Sequence, residues 1–180
     1  TEKDLPLKYF AYSTCFRREA GSYRKEERGM IRGHQFNKIE MFQFTKPEQS
    51  WKAFAELTKN AEKLVEGLGL HYQTVQLAAG DSSAAMAKTC DIEVWLPSMN
   101  TYKEVSSASN ALDYQARRGN IRFKDLATGK NEFVHTLNAS GLATSRLLPA
   151  MLEQFQQPDG SVKVPKVLQK WVGRKILKIK

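Results

Sequence analysis

Between Arg17 and Glu40 the chain sets arginines, carboxylates and one phenylalanine at the spacing of paired strands. A Tyr- and Phe-rich run over residues 7–16 reads as the first strand and leads into Arg17-Arg18-Glu19-Ala20-Gly21. A loop holding Arg24, Lys25 and Arg28 against Glu26 and Glu27 follows, and a return strand is expected over residues 30–42. Side chains of a strand alternate between faces. Arg17 and Glu19 then share a face and Arg18 turns away. Arg32, His34, Phe36, Lys38 and Glu40 share a face of the return strand, with Gly33, Ile39 and Met41 opposite. Paired as a hairpin, one face gathers Arg17, Glu19, Arg32, Phe36 and Glu40. Arginine forks match phosphate oxygens, an aromatic ring can stack on a base, and a carboxylate accepts from an amine. The set suits ATP. A solvated basic hairpin with surface ion pairs would carry the same charges, so spacing alone leaves both readings open.

Two later blocks narrow the choice: Glu93-Val94-Trp95-Leu96-Pro97 running on to Tyr102-Lys103-Glu104-Val105-Ser106-Ser107, and His135-Thr136-Leu137-Asn138-Ala139-Ser140-Gly141-Leu142-Ala143. With Phe16-Arg17-Arg18-Glu19-Ala20-Gly21-Ser22, Arg28-Gly29, His34-Gln35-Phe36 and Lys38-Ile39-Glu40, they make three separated blocks in one order. The chain resembles the C-terminal part of the catalytic domain of seryl-tRNA synthetases, class II aminoacyl-tRNA synthetases, over nearly its whole length.

The resemblance implies ATP-dependent activation of L-serine to seryl-adenylate and transfer to the acceptor end of tRNA(Ser), and to tRNA(Sec) where an organism has it. It implies that Arg17 binds the α-phosphate and the substrate carboxylate, that Glu19 accepts from the adenine amino group, and that Phe36 stacks on adenine. Arg146 covers the other adenine face and reaches the γ-phosphate, Arg32 holds the terminal phosphates, and Gly33 makes a backbone contact. Arg18 and the run Glu104, Val105, Ser106 and Ser107 complete the implied ATP site, with Glu104 and Ser107 sharing a Mg²⁺ ion. Residues i and i+3 of an ideal strand face opposite ways, so joint metal binding demands a bulge or twist. Glu40, Asn138 and Ser140, with Arg17, form the implied serine site, although Ser140 also stands where a helix N-cap would. Arg24, Lys25 and Arg28 are candidates to touch tRNA or, equally, a solvated loop.

Around these residues the periodicity predicts a helix over residues 46–68, with Phe54, Leu57, Ala61, Leu64, Val65 and Leu68 as its core stripe. Strands are expected over 72–77, 91–96 and 101–107, a short helix over 112–118, and a hairpin of 120–123 with 132–137. A helix is expected from Ser140-Gly141 to about Phe155, with Pro149 forcing a kink or a start displaced toward it. The basic, apolar tail from Gly173 either packs on an edge or stays in solvent. Strands cluster without regular βαβ alternation, which predicts an α+β fold: an antiparallel sheet backed by helices. No Gly-rich phosphate loop is present, so arginines must hold phosphate.

Composition sets the outer limits. The 180 residues amount to one domain, and 28 Lys and Arg against 19 Asp and Glu leave a net charge of +9, which favours an anionic partner. No apolar run approaches the ~18 residues of a membrane span, and no signal peptide opens the chain. Cys15 and Cys90 lack metal-type spacing, three scattered His residues argue no zinc site, and a reducing cytoplasm is the simplest setting.

Two positions depart from the family pattern: Arg18, where many relatives carry Ser, and Ala139, where Gly is usual and a methyl group could tighten the approach to substrate. The coiled-coil tRNA-binding arm, motif 1 with its homodimer interface, and the upstream serine-recognition loop are expected to lie outside this chain. A carrier-protein aminoacyl transferase is a competing reading, as is a noncatalytic RNA-binding derivative, which should have lost Arg17, Glu19, Phe36, Glu104 and Arg146. The 180-residue chain by itself is expected to show weak or no serine-dependent ATP–pyrophosphate exchange; robust exchange would contradict this.

Overall fold

The structure is a computed structural model that describes residues 1–18 and 29–178. In chain order the strands and helices are β1 (Leu7–Phe16), β2 (Gln35–Thr45), α1 (Ser50–Leu68), β3 (Tyr72–Gln76), β4 (Lys88–Leu96), β5 (Thr101–Asn110) and α2 (Tyr114–Gly119). Then follow β6 (Arg122–Lys124), β7 (Asn131–Phe133), β8 (His135–Ala143), α3 (Thr144–Phe155), β9 (Val162–Lys163), α4 (Gln169–Val172) and β10 (Ile176–Leu177). Six strands form one antiparallel sheet in the order β1-β2-β8-β5-β4-β3. The α+β expectation therefore holds.

Two helices bury one face of that sheet. On α1 the residues Ala53, Phe54, Leu57, Ala61, Val65 and Leu68 are buried, the one-sided stripe that a 3.6-residue period produces. Gly69, at φ 75°, closes the helix, its N–H donating to the Glu66 carbonyl at 2.9 Å; only glycine adopts this left-handed cap without penalty. Ala61 and Val65 share a core with Ile92, Val94 and Leu96 of β4 and with Leu147 and Ala150 of α3. Farther along, Phe54 and Leu57 pack on Ala108, Leu137 and Ala139. Ala139 thus faces the helix layer, and its methyl group does not approach the opposite face. The helices leave β1 largely uncovered, with Phe10, Tyr12 and Phe16 exposed.

Three boundaries differ from the sequence expectation. The return strand starts at Gln35, not residue 30, because Gly29–Ile31 form a 3-10 turn that sinks Ile31 into the core. Arg32 and Gly33 therefore precede the strand, and alternation does not assign their faces. Ser140 and Gly141 open no helix: β8 runs through them, pairing Ser140 with Glu40 and Ala139 with both Met41 and Ala108. Hydrogen bonding on both sides holds this central strand extended and rules out Ser140 as an N-cap. α3 begins at Thr144, the displacement toward Pro149 that the proline suggested. Third, the hairpin is only β6 with β7, and residues from His135 onward join the main sheet. The tail packs, with β10 pairing on β9.

One half-buried imidazole ties α1 to β8. His135 Nδ1 lies 2.9 Å from Ser50 Oγ, and that hydroxyl donates to the Pro47 carbonyl at 3.1 Å. Burial holds the His135 imidazole below its ordinary value of 6.5, against the pull of Asp113 and Glu48. Below pH 6.5 the unfolded chain takes up the proton first, so this contribution to stability is full above that pH and is lost as pH falls. His135→Asn should flatten part of the acid slope, read as a smaller difference between urea midpoints at about pH 5 and about pH 7.5. Equal slopes in both proteins would contradict the assignment.

Candidate active site

The open face of the sheet carries the polar residues. Arg17 continues the β1–β2 ladder, its N–H donating to the His34 carbonyl at 2.7 Å. Cys15 pairs with Phe36, so Arg17 and Phe36 rise from the same face. The Arg17 guanidinium carbon sits 4.4 Å from the Phe36 ring centroid, a cation–π contact. Arg146, in the first turn of α3, donates from Nη1 to the Glu104 carbonyl at 2.8 Å and meets Glu104 Oε2 at 3.4 Å. Arg17, Phe36, Lys38, Glu104, Val105, Ser140 and Arg146, with Ala143 and Ser145, line a cavity of about 90 Å³. That is well below the ~300 Å³ typical of ligand pockets. A larger cavity of about 410 Å³ lies between α3 and the β9–β10 hairpin. Its one carboxylate, Glu153, is already bonded to Ser98, and no group there is set for chemistry.

Two irregularities shape the site. In the β4–β5 pairing Ile92 faces Ser106 but Glu93 faces Glu104, which leaves Val105 as an extra residue in β5. The bulge reverses alternation between Glu104 and Ser107. Glu104 is opposite Glu93 and Ser107 opposite Asp91, so all four share the open face. The bulge that joint cation binding demanded is present. In the β2–β8 pairing Lys38 faces Ala143 and Glu40 faces Ser140, which places an extra residue in β8. Leu142 there has φ 83°, a conformation that costs a branched residue strain. A Cβ on Gly141 would stand 3.2 Å from Ile39 Cγ2, a tight crossing at which Ile39 would have to give by a few tenths of an ångström.

Beside the cavity, Glu40 collects three donors. Asn138 Nδ2 reaches Oε1 at 2.9 Å, Ser140 Oγ reaches Oε2 at 3.1 Å, and Lys38 Nζ lies 3.2 Å from Oε2. Asn138 and Ser140 thus both bond the Glu40 carboxylate. Of the remaining sequence candidates, Arg18 is exposed and Arg32 half-buried, and neither lines the cavity. Ser106 turns away, its Oγ donating to the Ser140 carbonyl at 2.6 Å. Glu19, Arg24, Lys25 and Arg28 lie outside the described residues.

Four residues that sequence reasoning passed over belong here. Lys38 was placed on the right face but given no role. Thr144 and Ser145 precede Arg146 and clamp α3 to β2: Asn37 N–H donates to Thr144 Oγ1 at 3.1 Å, and Gly33 N–H to Ser145 Oγ at 3.2 Å. Asp91 is the fourth. It is buried, its carboxyl pushed up to about 6 by burial, with Glu104 and Glu93 adding to the rise and a Ser107 hydrogen bond and Arg146 opposing it. One oxygen, Oδ1, has no hydrogen-bond partner among the described residues. Glu104 and the Ser107 hydroxyl, brought to one face, are oxygen donors of the kind a hard divalent cation takes. Among the described residues no three carboxylate, imidazole or thiolate groups stand close enough to hold a cation by themselves, so substrate oxygens and water must complete any shell.

The Ser145 clamp is testable. Its hydroxyl accepts from Gly33 N–H and donates to the Ile31 carbonyl at 3.3 Å. Ser145→Ala should cost ~1 kcal/mol in urea unfolding and speed exchange of the Gly33 amide; unchanged Gly33 protection would refute the clamp.

Comparison with known proteins agrees with this geometry. The sequence profile of the tRNA synthetase class II core domain (G, H, P, S and T) matches residues 1–155. The chain is 72% identical over 173 residues to serine--tRNA ligase 2 of Clostridium acetobutylicum, covering 96% of this chain and 41% of that protein. It is 56% identical over 176 residues to the serine--tRNA ligase of Thermotoga neapolitana, covering 98% and 41%. Its fold superposes on seryl-tRNA synthetase from Pyrococcus horikoshii complexed with ATP at a TM-score of 0.94, with 46% identity over 99% of this chain and 40% of that one. The cytoplasmic serine-tRNA ligase of Naegleria fowleri in complex with AMP gives 0.90, with 42% identity over 99% and 42%. The chain thus spans about two fifths of the length of these relatives. By sequence profile and by fold, it belongs to the class II tRNA synthetase core-domain family.

Proposed function

We propose that this chain is the part of a serine--tRNA ligase that binds ATP and contributes to the serine site, within a protein that makes seryl-adenylate and transfers serine to tRNA(Ser). The observation that carries the reading is the convergence of Arg17, Phe36, Glu104 and Arg146, from three separated segments, on one cavity beside Glu40. The solved relatives bound to ATP and to AMP support a nucleotide as occupant.

Activation needs little proton transfer. The serine carboxylate attacks the α-phosphorus and pyrophosphate leaves, so positioning and charge stabilisation dominate. Arg17, next to Phe36, is placed to bridge the carboxylate and the α-phosphate oxygens as negative charge gathers there. Phe36 offers its ring to adenine once Arg17 moves onto phosphate. Arg146 turns from Glu104 to adenine and the terminal phosphates. Glu40 takes the α-ammonium or hydroxyl of serine, with Asn138 and Ser140 holding its oxygens. A site that hydrogen-bonds a hydroxyl disfavours alanine, because its polar groups would be left unpaired. Glu104 and Ser107 would hold a Mg²⁺ ion on the phosphates, which when bound neutralises the charge of the leaving pyrophosphate. Transfer to tRNA(Ser), a homodimeric whole protein and a cytoplasmic location are proposed on the same family grounds. Among the described residues no helix is long and apolar enough to cross a membrane.

Calorimetric binding of a serine–sulfamoyl–adenosine conjugate, a stable mimic of seryl-adenylate, tests the reading. Glu40→Gln should weaken binding by about tenfold or more, whereas affinity for the conjugate lacking its amino group should stay within about twofold. Phe36→Ala should weaken both by about tenfold. Absence of any binding by the unaltered chain would refute the proposal.

A further inference from the structure

The buried carboxylate of Asp91 is not used by the chemistry above. Asp91 lies in β4, one strand in from the sheet edge, its backbone paired with Val75 on one side and Ser107 on the other. Its side chain is 9% exposed, and Oδ1 is without a hydrogen-bond partner among the described residues. Ser107 is hydrogen-bonded to the carboxyl, Glu104 and Glu93 stand near as like charges, and Arg146 is the nearby cation. An acid here is costly to the fold, since burial and two neighbouring carboxylates both disfavour its charge. Serine or asparagine would fill the position without that cost. Burial removes the ordinary explanation of a solvated strand face, and the Val105 bulge turns Glu104 to the side that Asp91 and its register partner Ser107 already share.

We propose that Asp91 is a positioning residue for a divalent cation: its carboxylate accepts the Ser107 proton, points the Ser107 oxygen lone pairs at the ion, and supplies a further negative charge behind it. Among the described residues no three such groups converge to chelate a cation directly, so Asp91 acts through Ser107. The arrangement matches the way an outer carboxylate orients and strengthens a metal-ligating side chain elsewhere. The inference rests on reading the cavity as a site for ATP with a divalent cation.

Electron paramagnetic resonance of Mn²⁺, titrated into the chain with ATP, tests it. Asp91→Asn keeps the shape and can still accept from Ser107, but it removes the charge. Its affinity for Mn²⁺ in the presence of ATP should fall about 10- to 100-fold. ATP binding measured with chelator should stay unchanged, and the urea midpoint should not fall. A merely structural Asp91 would instead lower the urea midpoint and leave the Mn²⁺ signal of the folded protein alone. Combined with Ser107→Ala, the Asp91→Asn change should add little, because both act on one ligand. Should the asparagine variant not fold, Asp91→Ser serves in its place. Mn²⁺ affinity within about twofold of the unaltered chain would overturn the inference while leaving the ATP site standing. If the unaltered chain binds neither ATP nor Mn²⁺ with ATP, the reading of the cavity itself fails.

Discussion

Side-chain alternation in a strand is rigid: a residue and its third neighbour face opposite ways unless the pairing slips. In β5 the position of Glu104 depends on such a slip, and a second slip shapes the end of β8. The extra residue at Val105 lets Glu104 and Ser107 share a face with Asp91, and the extra residue in β8 lies between Ser140, which faces Glu40, and Ala143, which faces Lys38. Without the Val105 bulge Glu104 would face the helix layer while Ser107 kept its place opposite Asp91. Bulges occur beside active sites because they redirect a side chain without ending the sheet. Here two of them flank one cavity.

In and beside the cavity, the groups are already engaged with one another. Arg17 lies on Phe36, Arg146 on Glu104, and Lys38 on Glu40. Each group proposed to meet substrate is thus engaged with another cavity group, and substrate binding becomes an exchange of partners. An exchange reduces the desolvation cost of binding, since the arginines and carboxylates are already partly withdrawn from water. Phosphate would release Arg146 from Glu104, and the serine ammonium would replace Lys38 at Glu40.

How much of this was legible in the sequence followed from the kind of signal. Periodicity located α1 and the inward set Ile92, Val94 and Leu96, because burial on one side leaves a repeating trace. The three blocks marked Arg17, Phe36, Glu40, Glu104 and Ser140, the resemblance they carry added Arg146, and the fold then brought these residues together. Arg32 and Gly33 were assigned faces on a strand that does not include them, since nothing local reveals that Ile31 turns inward to fill the core. Ser140-Gly141 read as a helix start because a Ser-Gly pair before apolar residues looks like a cap; pairing to β2 and β5 decided otherwise. Asp91 escaped notice for a related reason. Asp and Glu alternating with Ile, Val and Leu describe a strand with one wet face, and only the register against Ser107 shows that this face is not wet at Asp91.

The costs of the site gather on one side of the sheet and their offset on the other. Leu142 sits at φ 83°, Asp91 holds an orphaned carboxylate oxygen, and both bulges interrupt ladder hydrogen bonds, all around the open face. Behind them Leu57, Ala61, Val65, Ile92, Val94 and Leu96 are almost wholly buried between sheet and helices. Each buried aliphatic side chain of that size contributes roughly 1.5–3 kcal/mol, against ~1–3 kcal/mol for each strained or unsatisfied backbone or side-chain group. The helix layer is therefore what allows the front to keep groups that destabilise the fold by themselves. A substitution that relieves the front should raise stability and lower ligand affinity together, whereas one that loosens the helix layer should lower stability first and reach the site only through the clamp of Thr144 and Ser145 on β2.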